Sequence, residues 1–464
     1  MPPKKSGFDG HPEAGKVEHN PHEKNKTCFS MPDFWFLLLW LASFIIMIVM
    51  TVHYGIVKLH HEYDVYRDEQ AKKTEVFVDD LAERELNRSI LGCVHVIKVF
   101  AQCGFFAGAA SFVWVVLMTL MSNFVMDVIL FVGVAMLAVF GALSLSQLTV
   151  DPYSGGCFGA TFFVLAGATF LFGCCQRSRS SFVATSLAVA CKFIRTNFML
   201  YFVGLLMVAV AYCYTLCWTL AEFGIYYHLQ PSVPNSTRVV VYIVLFAMWI
   251  WSMEVCRKVT VVTTSGTGAE WWFSQGLREP TFMAFLRAVT YDFGPICFGS
   301  LWIAPMQVLN PRYLFKYAFT YVGIYGYGLL PAGRKVKTLF AGEGATVAKN
   351  DLNVEYALLF VNLTVALCTC ALSLMIIENG NSRLTAGLQP YARFLCGFMS
   401  FFLGLAISAV MTSVIDAANK LVFVLFLENP HVLEVTHNDE HNQLASAWKM
   451  IGLKERDVDE GGLV

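Results

Sequence analysis

The chain has 464 residues, 56% of them hydrophobic and only 14% charged, with a net charge of −1. A soluble domain carries about 25% charged side chains, so this chain lacks the polar surface that water requires and has one suited to lipid. The near-zero charge gives no basic field for nucleic acid. No GxSxG elbow, HExxH helix, P-loop or dinucleotide fingerprint points to an enzyme or a resident cofactor.

The first 33 residues are polar and carry Lys4, Lys5, Lys16, Lys24 and Lys26; they read as a cytosolic tail ahead of an uncleaved first span that starts at Phe34. A spanning helix needs about 20 apolar residues. Ten runs meet that need, at 34–57, 91–120, 124–146, 156–175, 200–223, 239–263, 289–309, 313–333, 355–377 and 391–416. The expected fold is therefore all-α, a polytopic integral membrane protein with a membrane domain over 34–428 and a polar, poorly ordered cytosolic tail over 429–464. The eighth run is rich in Gly and Tyr and contains Lys316, so it is expected to be broken or partly interfacial. Residues 419–430 extend the tenth helix or lie along the membrane. Residues 182–199 place Lys192 and Arg195 among apolar positions at helical spacing and read as an amphipathic helix.

An even number of spans puts both termini on one side. Arg177, Arg179, Arg334, Lys335 and Lys337 favour the cytosol for that side, while the expected extracytosolic loop 58–90 opposes it with six Lys/Arg. The sequons at Asn87 and Asn235 fall in loops expected outside and are the glycosylation candidates. The fourteen cysteines sit mostly singly in apolar runs without a CxxC pair, and read as small hydrophobes rather than a disulfide framework. HNDEH at 437–441 spaces two histidines by four residues but lacks the further ligands of a zinc site, and no metal is expected.

Four stretches carry a resemblance to a known family. They are WSMEVCRKVTVVTTSGTGAEWWF (251–273), AVTYDFGPICFGSLWIAPMQVL (288–309), YAFTYVGIYGYGLLPAGRKVKTLFAGEGATVAKNDL (317–352) and SVIDAANKLVFVLFLENPHVL (413–433). In this order, over about 182–445, they resemble the choline transporter-like family, most of all its fungal and protist branch. The second stretch is the most specific. Departures are Pro295 where Ser is usual, Pro305 in the same run, the form Glu270-Trp271-Trp272 of the aromatic triplet, and the short 58–90 loop. The resemblance implies a ten-span fold with cytosolic termini and transport of choline-like amines.

A quaternary ammonium has no hydrogen-bond donor, so its sites use aromatic faces, each worth about 0.5–2 kcal/mol, with a carboxylate nearby. Trp251 and Glu254 share a helix face and are the first substrate candidates; an intrahelical pair of Glu254 with Lys258 is the competing reading. Trp271 and Trp272 follow an expected helix break at Gly266 and Gly268, and form either an aromatic wall or an interface belt. Gly294, Pro295, Gly299 and Pro305 suggest a discontinuous seventh helix, with Asp292 at its entrance as a gate or an N-cap. Tyr321 and Tyr325 share a face and either line a cation path or pack an awkward helix. Glu254, His95 and Asp416 are the proton-coupling candidates, with Asp416 also four residues from Lys420.

The function expected is a carrier of choline or a related small organic cation such as ethanolamine, facilitative or proton-coupled, working by alternating access in the plasma membrane or an organellar membrane. Its partners would be that cation and the bilayer. A cation channel and a non-transporting scaffold or lipid-pathway protein are the rivals.

Overall fold

The computed structural model describes residues 33–58, 80–146, 152–176, 180–229, 235–273, 280–309, 314–340, 344–379 and 390–450. All regular structure among them is helical. Helix α1 (Phe34–Met50) continues as a π-helical segment (Thr51–Lys58). It is followed by α2 (Asp80–Leu120), α3 (Ser122–Ser146), α4 (Pro152–Gln176), α5 (Ser180–Thr196) and α6 (Met199–Leu229). Then come α7 (Asn235–Phe273), α8 (Pro280–Thr290), α9 (Phe293–Leu309), α10 (Leu314–Tyr325) and α11 (Leu329–Leu339). The chain closes with α12 (Gly344–Asn379), α13 (Pro390–Glu428), α14 (Pro430–Thr436) and α15 (Asn438–Met450).

Among the described residues, six helical segments are long and apolar enough to cross a bilayer: Phe34–Ile56, Ile97–Leu120, Met199–Glu222, Ser236–Phe273, Asn353–Ile377 and Cys396–Glu428. They answer to the first, second, fifth, sixth, ninth and tenth apolar runs. The third and fourth runs form α3 and α4, each 25 residues long. Lipid-facing positions stay apolar and exposed, as at Ile45, Phe105, Val164, Phe202 and Ile243. The protein is an all-α, multi-pass integral membrane protein.

The seventh and eighth runs are divided. The seventh begins in α8, breaks at Tyr291–Asp292 and resumes as α9. The break precedes Gly294 and Pro295, which lie in the first turn of α9, where a missing N–H costs nothing. Helix α9 runs on through Gly299 and Pro305, so the expected discontinuity inside it is replaced by one at its start. The eighth run breaks at Gly326-Tyr327-Gly328, where Gly326 has φ +69°, a conformation that glycine alone adopts without strain.

Helices α12 and α13 pair antiparallel, with Gly404 against Ala366 and Thr369 and with Thr412 donating to Asn362 at 3.0 Å. Helix α6 is antiparallel to both α2 and α7, through Tyr212 to the Ala101 carbonyl and Trp218 to the Leu245 carbonyl. Helices α7, α10 and α13 run in the same direction: Phe246 meets Phe402 early on, Lys258 meets Phe319 and Gly266 meets Gly323 midway, and Trp272 reaches Asn429 at the end. This parallel trio is the frame on which the polar groups of the bundle are stacked.

The expectation of a poorly ordered tail fails for residues 430–450. Helices α14 and α15 fold back on the bundle and bury Leu433, Leu444 and Trp448. Trp448 packs on Phe182 of α5 and Phe426 of α13, and Lys192 of α5 is paired with Glu440 of α15. The apolar face needed for this is present in the sequence, but spread among polar residues.

Candidate functional site

Three layers of polar and aromatic side chains follow one another along the parallel trio. The first is a small cavity of about 10 Å³ between α2, α6, α7 and α13. Phe100, Trp218, Phe246, Trp249, Met399 and Leu403 wall it, and Thr215 and Thr219 add hydroxyls. Trp218 stands 5.5 Å from Trp249, and Phe246 stacks on Trp249 at 5.6 Å. The indole N–H groups are held away from the cavity's centre: Trp249 donates to the Thr215 hydroxyl at 3.1 Å and Trp218 to the Leu245 carbonyl at 3.1 Å. This leaves aromatic faces, a thioether and hydroxyls as the lining, a surface that suits a soft cation.

The second layer is ionic. Lys420 bridges Asp416 at 2.7 Å and Glu355 at 2.8 Å, and Lys316 bridges Glu355 at 3.1 Å and Asp351 at 2.9 Å. Asp351 is fully buried and also accepts from the Tyr317 hydroxyl at 2.6 Å and the Asn419 amide at 2.9 Å. Arg257 spreads over both carboxylate oxygens of Glu254, at 3.1 and 3.4 Å, and Lys258 lies over the Phe319 ring at 4.8 Å. Four carboxylates thus pair with three cations, and the fourth cation, Lys258, rests on an aromatic face. Charges in a membrane interior are tolerated when paired in this way and are costly when left alone.

The third layer closes around the helix breaks. Tyr321 and Tyr325 both donate to one oxygen of Glu428, at 3.2 and 3.0 Å, and Tyr327 stands 5.6 Å from Tyr325. Beside them Arg287 donates to the Gly323 carbonyl at 2.6 Å and pairs with Asp292 at 3.5 Å. The arginine reaches that carbonyl because Gly266 and Gly323 bring α7 and α10 into backbone contact; a Cβ on Gly323 would meet the Val262 carbonyl oxygen at 2.6 Å.

Residues 160–311 and 310–431 match the family described as plasma-membrane choline transporter, a stretch longer than half the chain. The chain belongs to the choline transporter-like family. The matched region holds the second and third layers and most of the first, Phe100 being the exception. Protein PNS1 of Kluyveromyces lactis is 21% identical over 368 residues, covering 66% of this chain and 65% of that protein. A CTL-like protein of Dictyostelium discoideum is 24% identical over 331 residues, covering 63% and 57%. For Protein PNS1 of Candida albicans the figures are 22% over 253 residues, 46% and 48%. The chain therefore aligns with less than two thirds of the length of each of these relatives.

Within this choline transporter-like protein the candidate residues separate. Trp251 does not face the cavity. It lies two residues, about 200° of helix, from Trp249, and its N–H reaches the Cys297 carbonyl of α9 at 3.2 Å. Glu254 pairs with Arg257 rather than Lys258: Arg257 Nη1 reaches both carboxylate oxygens, while Lys258 turns inward to α10. The expected break at Gly266 and Gly268 is absent, since α7 continues to Phe273 and both glycines serve close packing, Gly268 against Leu421 and Phe193. Trp272 is wholly buried and donates to the Asn429 carbonyl at 3.2 Å, and Trp271 stacks on His437 at 4.1 Å, so both hold the C-terminal helices instead of a path wall. The histidines of HNDEH part company, His437 on Trp271 and His441 on Phe426.

Asp292 is buried at the break ahead of α9, its carbonyl accepting from Ile296 and its carboxylate facing Arg287. Gly299 packs closely on Phe319 and Leu329, and the side chain of Pro305 lies outside the described residues. Asp416 has the expected Lys420 partner. Asn87 lies within α2 rather than in a loop, on the part that precedes the apolar segment Ile97–Leu120, and Asn235 begins α7; their side chains, and that of His95, lie outside the described residues. Sequence reasoning missed Trp218, Trp249, Arg257 and Glu428. One signal for the first was present: Thr215, Trp218, Thr219 and Glu222 repeat at i, i+3, i+4 and i+7, a polar-aromatic stripe along one face of the helix.

Proposed function

We propose that this protein carries choline, or a related small organic cation such as ethanolamine, across the membrane by alternating access. The observation that carries the reading is the cavity walled by Trp218, Phe246 and Trp249 inside the bundle, with the ion-pair layer stacked beyond it. Each aromatic face gives a desolvated ammonium about 0.5–2 kcal/mol, and several converge. At about 10 Å³ the cavity has room for little more than a water molecule. Admitting a trimethylammonium group requires the walls to part, and the broken helices α8–α9 and α10–α11 supply segments able to move as units. In this form the ionic layer and the Glu428 cluster close the far side of the cavity. Opening that side means exchanging the ion pairs, with Glu254, Asp416 and Glu355 the carboxylates available to a proton or to the passing cation.

The test is uptake of radiolabelled choline by liposomes containing the purified protein, with ethanolamine as competitor. Saturable uptake above that of protein-free liposomes is expected. Flux equal to the protein-free control overturns choline as the substrate, and flux that does not saturate overturns the carrier in favour of a channel.

A further inference from the structure

The cavity lining is neutral, and a cation entering it needs a countercharge that its walls do not contain. Helix α6 supplies one. Glu222 follows Trp218 by four residues and Thr219 by three, a spacing that puts side chains about 5–6 Å apart on one helix face. The opposite face of α6 is occupied by the π-helical segment, with Thr51 donating to the Cys217 carbonyl at 2.9 Å and Gly55 packed on Leu220. Glu222 therefore shares the side of α6 that lines the cavity. Because α6 runs antiparallel to α7, Glu222 lies one turn beyond Trp218 on the side of the cavity away from the ionic layer.

Its chemistry separates it from the other carboxylates on the surrounding helices. Glu254 is held by Arg257, Asp416 by Lys420 and Glu428 by two tyrosines. Glu222 Oε2 is buried and has no hydrogen-bond partner among the described residues. An acceptor that is desolvated and unmatched is expensive to maintain, and a transient cation is the partner that would satisfy it. On this ground, and resting on the functional reading above, we infer that Glu222 is the mouth carboxylate of the tryptophan cavity: it pairs with the ammonium of the entering cation and selects monocations over zwitterions of the same shape.

Uptake into liposomes of the full-length protein tests this with Glu222→Gln and Glu222→Asp. For Glu222→Gln the choline KM rises about tenfold with maximal rate within about twofold, and the preference for choline over betaine narrows by a similar factor. Glu222→Asp restores most of the difference. In the wild-type protein, a hydrophobic carbodiimide labels Glu222, as read by peptide mass spectrometry, and choline protects it while betaine does not. Choline uptake at background in the wild type overturns the functional reading itself. Wild-type uptake with an unshifted Glu222→Gln KM, or carbodiimide labelling of Glu222 that choline leaves unchanged, overturns the Glu222 assignment alone. The labelling arm needs no variant, so it decides the question even where Glu222→Gln does not fold.

Discussion

The two halves of the bundle are held together by opposite means. Around Trp218 and Trp249 the interior is aromatic and neutral, with hydroxyls whose needs are met locally. Around Lys420 it is fully ionic, with Lys316 and Lys420 threaded through Asp351, Glu355 and Asp416. A neutral aromatic surface offers a cation moderate attraction and lets it leave. An ion-pair lattice is rigid while complete, and exposes strong charges as soon as one member moves. The first suits residence of a cation and the second suits a closure with two discrete arrangements.

Removing one member of the lattice should have the largest effect. Lys420→Met leaves Asp416 without its close partner and is expected to cost about 3–5 kcal/mol, read as loss of monodisperse protein and a lower melting temperature in detergent. Adding Asp416→Leu should recover much of that loss, because Glu355 retains Lys316 at 3.1 Å. A double variant no better than the single would mean that the lattice is not a pairwise construction.

Tyr325→Phe removes one of two phenol donors to Glu428. A hydrogen bond to a charged group is worth about 1.5–3 kcal/mol; the expected result is a melting temperature reduced by less than in Lys420→Met, with the choline KM unmoved. Trp249→Leu keeps apolar bulk but deletes an aromatic face, and should raise the choline KM about tenfold, equivalent to about 1–2 kcal/mol of cation–π attraction. Trp251→Leu, two residues along the same helix, should leave KM unchanged. The reverse pattern would return the site to the α9 side of α7.

The smallest expected effect lies outside the bundle, where α15 docks. Burial of His437 on Trp271 draws its pKa below the usual value, with Lys192 adding to that and Glu440 opposing it. Burial tends to raise the Glu440 carboxyl, but the Lys192 contact carries it below the ordinary carboxylate range. Both groups have depressed folded pKa values, so their contribution is complete above the unfolded values, about 6.5 for histidine and 4.3 for glutamate, and is lost as pH falls through the folded ones. Hydrogen exchange in residues 438–450 should therefore accelerate below about pH 6.5, and His437→Phe should move the onset into the carboxylate range.

The helices themselves were legible, because a run of about 20 apolar residues finds few settings besides a bilayer, and the division of the Gly- and Tyr-rich run is marked by Gly326 and Gly328. The site was legible only in kind. Tryptophan with a carboxylate was the chemistry looked for, but Trp249 and Trp251 are two residues apart, and an apolar helix buried on most sides gives no period from which to tell the inward one. Asp416 with Lys420 was found because the pair is local. Glu355 with Lys420, Asp351 with Lys316 and Glu428 with Tyr321 join residues 35 to 107 positions apart, and only tertiary packing brings them together. Gly266 and Gly268 misled because a glycine that admits a neighbouring backbone and a glycine that ends a helix are spelled the same way.

Helix α13 touches every layer. It presents Met399 and Leu403 to the cavity, Asp416 and Lys420 to the ion pairs and Glu428 to the tyrosines. Its 39 residues form one unbroken rod, about 58 Å long at 1.5 Å per residue. A lean of such a rod that widened the aromatic chamber would also displace its opposite tip. On the carrier reading proposed above, occupancy of the aromatic end would bear mechanically on the tyrosine cluster at the other.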